Sequence, residues 1–138
     1  MIIGDIVNGI VIDYIKVGQG EAIYRAMDFA ALDCMVVTIH NAESVSMGRK
    51  DVIKLDNIIE LDLDKLSYIA PGVTVSVIKG GEVAVSEELE LPDRLVNVVQ
   101  CKNPRCITSV EQELAHEFRL VHKDKRVYRC IYCESEAE

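Results

Sequence analysis

Residues 61–88 read LDLDKLSYIAPGVTVSVIKGGEVAVSEE. Asp62 and Asp64 stand where a helix N-cap belongs, and Pro71-Gly72 closes the helical stretch. VTVSVI (73–78) is β-branched and alternating, which predicts a strand. KGG (79–81) supplies the positive φ a tight hairpin turn needs, and EVAVSEE is the returning strand. A helix that hands the chain to a hairpin predicts a helical layer on an antiparallel sheet.

The pattern continues toward the N-terminus. IVIDYI (10–15) predicts a strand, and GQG (18–20) a turn. EAIYRAMDFAALD (21–33) follows with Ile23, Met27, Ala30 and Ala31 at helical spacing. CMVVTIHNA predicts a second strand, SVSMGRK a loop, and DVIKLDN a third strand. Lys50, Val52 and Lys54 then fall on one face. The order is β-α-β-β-α-β ending in a hairpin, so the predicted fold is α+β, with a ferredoxin-like sandwich over residues 1–92.

Pro92 closes that unit. Residues 93–138 form a second domain with too few apolar side chains for a well-stabilised core of their own. It holds four of the five cysteines, spaced C-x4-C-x23-C-x2-C at Cys101, Cys106, Cys130 and Cys133. Two close thiol pairs suit the four tetrahedral ligands of a structural zinc site, one ion per chain. Two disulfides, or four unrelated core thiols, are the competing readings. Clustered thiols in a reducing compartment favour the metal. Iron in the same cage would make an electron-transfer centre. His116 and His122 read as surface residues, because four sulfurs already complete a tetrahedron. Cys34, alone beside MVV, reads as a buried core residue.

Composition bounds the function. The chain has 138 residues, 49% hydrophobic and 28% charged, which suits one small globular domain with a satellite. No apolar run reaches the roughly 18 residues of a membrane-spanning helix. MIIGDIVNGIVIDYI carries Asp5 and Asp13 and no basic leader, so a cytoplasmic location is expected. Residues 1–92 hold 7 Lys/Arg against 15 Asp/Glu, whereas residues 93–138 hold 8 of each. An acidic body with a neutral tail disfavours nucleic acid. A zinc-ribbon nucleic-acid adaptor remains the alternative, on the cysteines and the basic run HKDKR (122–126). No nucleophile elbow, HExxH or phosphate loop is present, so no catalytic residues are assigned.

NGIVIDYI (8–15), MGRKDVIKLDN (47–57), YIAPGVTVSVI (68–78), LPDRLVNVVQCKNPRCIT (91–108) and YRCIYC (128–133) occur in that order. Together they resemble the regulatory chain of aspartate carbamoyltransferase over nearly the whole length. The resemblance implies a non-catalytic subunit of pyrimidine biosynthesis. Its first domain would bind nucleotide effectors, with CTP inhibiting and ATP activating. Its zinc domain would dock on the catalytic chain, and regulatory homodimers would bridge catalytic trimers. The four cysteines fall on the family's zinc ligands. Asp13 matches an acidic residue that contacts the nucleotide, Lys54 a lysine central to effector binding, and Lys50 a nearby lysine. Ile6, Val11, Val52, Ile78 and Val83 fall where the family lines its base pocket. Tyr14 stands in place of a histidine, Gly81 in place of an aromatic residue, and Ser86 in place of a phosphate-holding lysine.

Overall fold

A computed structural model describes residues 6–111 and 113–137. Residues 1–5, which carry part of the leader argument, lie outside the described residues. The chain divides into two compact units, Met1–Glu90 and Leu91–Glu138.

The first unit contains β1 (Gly9–Ile15), α1 (Gln19–Ala26), β2 (Val36–Ser44), β3 (Gly48–Leu55), α2 (Leu63–Ile69), β4 (Thr74–Lys79) and β5 (Glu82–Glu88). The five strands form one sheet in the order β2-β3-β1-β4-β5. Every neighbouring pair is antiparallel. The first four strands have the β-α-β-β-α-β arrangement predicted for a ferredoxin-like layer, and β5 extends it as the outer arm of a hairpin. Alternation explains which face is covered. Ile10, Ile12, Ile53, Leu55 and Val75 point to one side and join Ile23, Phe29, Leu66 and Ala70 in a buried cluster. Each such aliphatic side chain contributes about 1.5–3 kcal/mol by leaving water.

The punctuation read from residues 61–88 holds in detail. The Asp62 carboxylate accepts the Lys65 N–H at 3.1 Å and caps α2. Gly72 follows Pro71 at φ 95°, and the hairpin turn uses Gly80 at 61° and Gly81 at 80°. The first helix is shorter than its periodicity predicts. It ends at Ala26, because Asp28 takes a left-handed conformation at φ 55° and only a 3-10 turn, Phe29–Ala31, follows. Phe29 reaches the core from that turn. Cys34 is half-buried and outside the core cluster, contrary to expectation. It precedes β2 in an irregular stretch, where no strand register turns it inward.

The sheet carries two irregularities, between Ile12 and Ile15 in β1 and between Ile39 and Ala42 in β2. Asp51 of β3 lies beside both. It is wholly buried. Its Oδ2 accepts the Gly18 and Gly20 N–H groups at 3.1 Å each, and its Oδ1 accepts the Asn41 N–H at 2.9 Å. His40 Nδ1 lies 3.3 Å from Oδ2 and donates to it, since an ionised carboxylate only accepts. Burial alone would raise the Asp51 pKa. The bonds from Asn41, Gly20, His40 and Gly18 outweigh it and hold the carboxyl below its usual value.

The second unit is mostly β: β6 (Arg94–Val96), the short α3 (Ile107–Val110), β7 (Glu117–His122) and β8 (Val127–Cys130). The strands form a sheet in the order β6-β7-β8. Its buried apolar side chains are Leu95, Phe118 and Tyr128, beside the cysteines. The Tyr128 hydroxyl donates to the Pro92 carbonyl at 2.6 Å, tying the start of the unit to its last strand. Three large side chains are a thin core for such a unit, so a cross-link of another kind is needed. Among the described residues of the whole chain, no helix is long and apolar enough to cross a membrane.

Candidate metal centre and effector face

Two knuckles bring the four thiols together. In the first, the Asn103 carbonyl accepts the Cys106 N–H at 3.0 Å and the Ser109 hydroxyl at 2.7 Å. In the second, the Cys130 N–H donates to the Ser135 carbonyl and the Glu134 N–H to the Cys130 carbonyl, each at 2.9 Å, with Glu134 at φ 65°. The Cys101 and Cys133 Sγ atoms lie 3.5 Å apart, and those of Cys106 and Cys130 3.7 Å apart. All four sulfurs lie within 4.8 Å of one another. These are free thiols, too far apart for S–S bonds. A tetrahedron with metal–sulfur distances of about 2.3 Å has edges near 3.8 Å, so the donor set fits one ion.

The electrostatics point the same way. Burial pushes the Cys101 thiol up to about 12, and raises that of Cys130 as well. Burial works on Cys133 too, but hydrogen bonds from Ser135 and Asn103 reverse it and bring that thiol down to about 6. Four crowded thiolates repel one another, and a central dication lets them ionise together with release of protons. Two supporting contacts were not legible in the spacing. The buried Thr108 hydroxyl donates to the Cys106 sulfur at 3.1 Å, and His116 Nδ1 accepts the Cys101 N–H at 3.1 Å. His116 thus braces the first knuckle without joining the four-sulfur group.

The sheet face opposite the buried cluster of the first unit carries the other predicted residues. One row holds Val37, Lys54, Val11, Ser76 and Ser86 in cross-strand register. One end of the face is apolar: Gly9 pairs with Ile78, Ile78 with Val83, and a methyl of Ile6 lies over Gly9. Toward the other end, the extra residue in β1 sets Asp13 and Tyr14 side by side, with Tyr14 at φ 57°. The Asp13 Oδ1 accepts the Tyr14 N–H at 2.7 Å and pairs with Lys50 Nζ at 2.9 Å. The same Lys50 ammonium lies 4.4 Å above the centre of the Tyr14 ring. Val52, 3% exposed, sits between Lys50 and Lys54 on β3. Ser76 and Ser86 share a hydrogen bond of 3.1 Å. Beyond Tyr14 and Thr74 the surface sinks into a hollow of ≈ 420 Å³, lined also by Lys16, Met47 and Glu88.

Comparison with known proteins assigns both units. Residues 1–90 match the family described as aspartate carbamoyltransferase regulatory chain, allosteric domain. Residues 93–138 match the corresponding metal-binding domain. A regulatory chain from Clostridium botulinum is 45% identical over 132 residues, covering 96% of this chain and 90% of the relative. One from Clostridium acetobutylicum is 40% identical over the same length, and one from Bifidobacterium longum is 36% identical over 138 residues, 99% of that relative. The chain belongs to the aspartate carbamoyltransferase regulatory-chain family. It is accordingly a regulatory subunit and not the catalytic one, with an allosteric domain followed by a metal-binding domain. The match over both domains disfavours the nucleic-acid adaptor. The expected partner of a regulatory chain is the catalytic chain of that enzyme.

Sequence reasoning missed Asp51, the residue that ties α1 and both sheet irregularities together. It sits inside the quoted motif MGRKDVIKLDN, but nothing in a single acidic letter between Lys50 and Val52 separates a buried hub from a surface charge.

Proposed function

We propose that this chain is the nucleotide-responsive subunit of a cytoplasmic aspartate carbamoyltransferase. Residues 1–92 bind ribonucleotide effectors of the CTP and ATP class. Residues 93–138 hold one structural zinc ion through Cys101, Cys106, Cys130 and Cys133 and dock on the catalytic chain. Regulatory homodimers bridge catalytic trimers.

The observation that carries the effector assignment is the posture of Asp13. Its Oδ1 is engaged by the Tyr14 N–H and by Lys50, which turns the carboxylate into a fixed acceptor for ribose hydroxyls through Oδ2. Gly9 and Asp13 are four strand residues apart, about 13 Å, a span that suits a nucleotide. The base then rests on the apolar end made by Ile6, Ile78 and Val83. Val11 and Val52 line the middle, and Lys54 and Lys50 face the sugar-phosphate.

Regulation follows from differential affinity. A nucleotide that binds one quaternary state better than another shifts the assembly toward it by that difference and no more. The test is an aspartate saturation curve of the complete enzyme, reconstituted from this chain and its catalytic chain. Millimolar CTP or ATP is expected to shift half-saturation. A curve unmoved by every nucleotide contradicts the effector role while leaving the docking role standing.

A further inference from the structure

We propose that Arg119 and Arg129 form a latch that pins residues 134–136 over the sheet of the second unit and so sets how quickly Cys133 gives up its metal. This rests on the assignment of one zinc ion to the four thiols and adds the residues that govern its retention.

The four ligands are not equally protected. Cys101, Cys106 and Cys130 are buried, whereas Cys133 is half-buried, so an incoming chelator meets Cys133 first. Cys133 is held by the segment that follows it. Ser135 hydrogen-bonds the Cys133 sulfur through its N–H and its side chain. The Ser135 carbonyl accepts the Cys130 N–H at 2.9 Å. Glu136 then bridges back to Arg129, and the Ala137 N–H donates to the Tyr128 carbonyl at 2.9 Å. Residues 134–137 therefore run back along β8, and peeling them away strips hydrogen bonds from Cys133 and Cys130 together.

Arg94, Arg119 and Arg129 stand directly opposite one another in β6, β7 and β8. Like charges in such a row repel, so the row needs carboxylates laid over it. Glu117, from β7 itself, pairs with Arg94 at 2.7 Å. The other two arginines draw theirs from the segment after Cys133. Arg119 Nη2 donates to both carboxylate oxygens of Glu134 at 3.0 Å each. Arg129 donates through Nη1 to the Glu134 carbonyl at 2.9 Å and through Nη2 to the Glu136 carboxylate at 3.0 Å. Glu134 is thus gripped by its backbone and its side chain at once. It also sits at φ 65°, a conformation that glycine takes without strain. A glutamate there costs backbone strain, and its carboxylate is the group that Arg119 binds. Arg119 and Glu134 are 49% and 56% exposed, so their pair is weak alone and screened by salt. Its effect comes from acting with the Arg129 contacts on one short segment.

The experiment follows transfer of zinc from the full-length chain to excess 4-(2-pyridylazo)resorcinol by absorbance. Wild type is compared with Arg119→Ala, Glu134→Gly and, as a control, Arg94→Ala, which removes an arginine of the same row that does not touch residues 134–136. Arg119→Ala and Glu134→Gly are expected to release zinc about threefold or more faster, and R94A within about twofold of wild type. Raising salt from about 0.05 M to about 0.5 M should speed release from the wild type and leave R119A nearly unmoved. E134G separates the latch from the backbone, because glycine relieves the strain yet removes the carboxylate. Release from E134G as slow as from the wild type, or slower, overturns the inference while upholding the zinc site. R94A as fast as R119A also overturns it, since loss of any surface pair would then suffice. If R119A does not fold or load zinc, Glu134→Gln decides: faster release supports the latch, and an unchanged rate overturns it. A wild-type chain that carries no zinc overturns the zinc assignment and this inference with it.

Discussion

Asp51 shows how one side chain sets the geometry of a site it does not enter. Its carboxylate takes two N–H groups from the start of α1, one from the kink in β2, and the His40 ring. Its neighbours in β3 are Lys50 and Val52, both on the face proposed to bind the effector. An Asp51→Asn substitution keeps the shape but turns one acceptor into a donor facing backbone N–H groups. The expected cost is about 1–3 kcal/mol, because the group is fully buried and the orphaned donors stay desolvated. Urea denaturation at neutral pH measures it. The pH dependence has a definite sign. The folded pKa of Asp51 lies below its unfolded value. Its contribution is therefore present above about pH 4 and is lost as pH falls through the folded pKa. The wild type should lose stability on acidification more steeply than the Asn variant, and parallel acid titrations would contradict this account.

Among the elements, those with local causes were legible in the sequence. The second helix was bounded by Asp62 and Pro71-Gly72, and the hairpin by Gly80-Gly81, because caps and turns are chosen by the residues that form them. The end of α1 was not legible. Met27, Ala30 and Ala31 continue the helical period, yet Asp28 adopts the left-handed conformation and leaves Phe29 to fill the core from a 3-10 turn. Tertiary packing overrode periodicity there. The four cysteines were legible because their spacing is the signal. Thr108 and His116, which brace them, were not, since a hydroxyl or a ring nitrogen acquires that role only once the knuckles fold. The irregularity in β1 that sets Asp13 beside Tyr14 is likewise a product of sheet register. Gly20, at the start of α1, tests the tie between helix and sheet. A Cβ there would lie 2.8 Å from the Asp51 Oδ2. Gly20→Ala should therefore destabilise the first domain by about 1–3 kcal/mol, although alanine ordinarily favours a helix. A midpoint of thermal unfolding at or above that of the wild type would show that α1 is not held as described.

At the scale of the whole molecule, the two units solve different stability problems. The first buries a dozen-residue cluster under α1 and α2 and needs no cross-link. The second relies on Leu95, Phe118 and Tyr128 and on the geometry of four sulfurs. Metal binding is therefore folding free energy for the second unit and much less for the first. If that unit is the docking surface for catalytic trimers, assembly must depend on the metal. The most direct measurement is sedimentation velocity of this chain mixed with its catalytic trimers. It is made before and after the metal is stripped with a thiol-reactive mercurial and a chelator, and again after zinc is restored. The account predicts a large complex that disappears on stripping and returns with zinc. A complex of undiminished size and amount formed by the metal-free chain would contradict it.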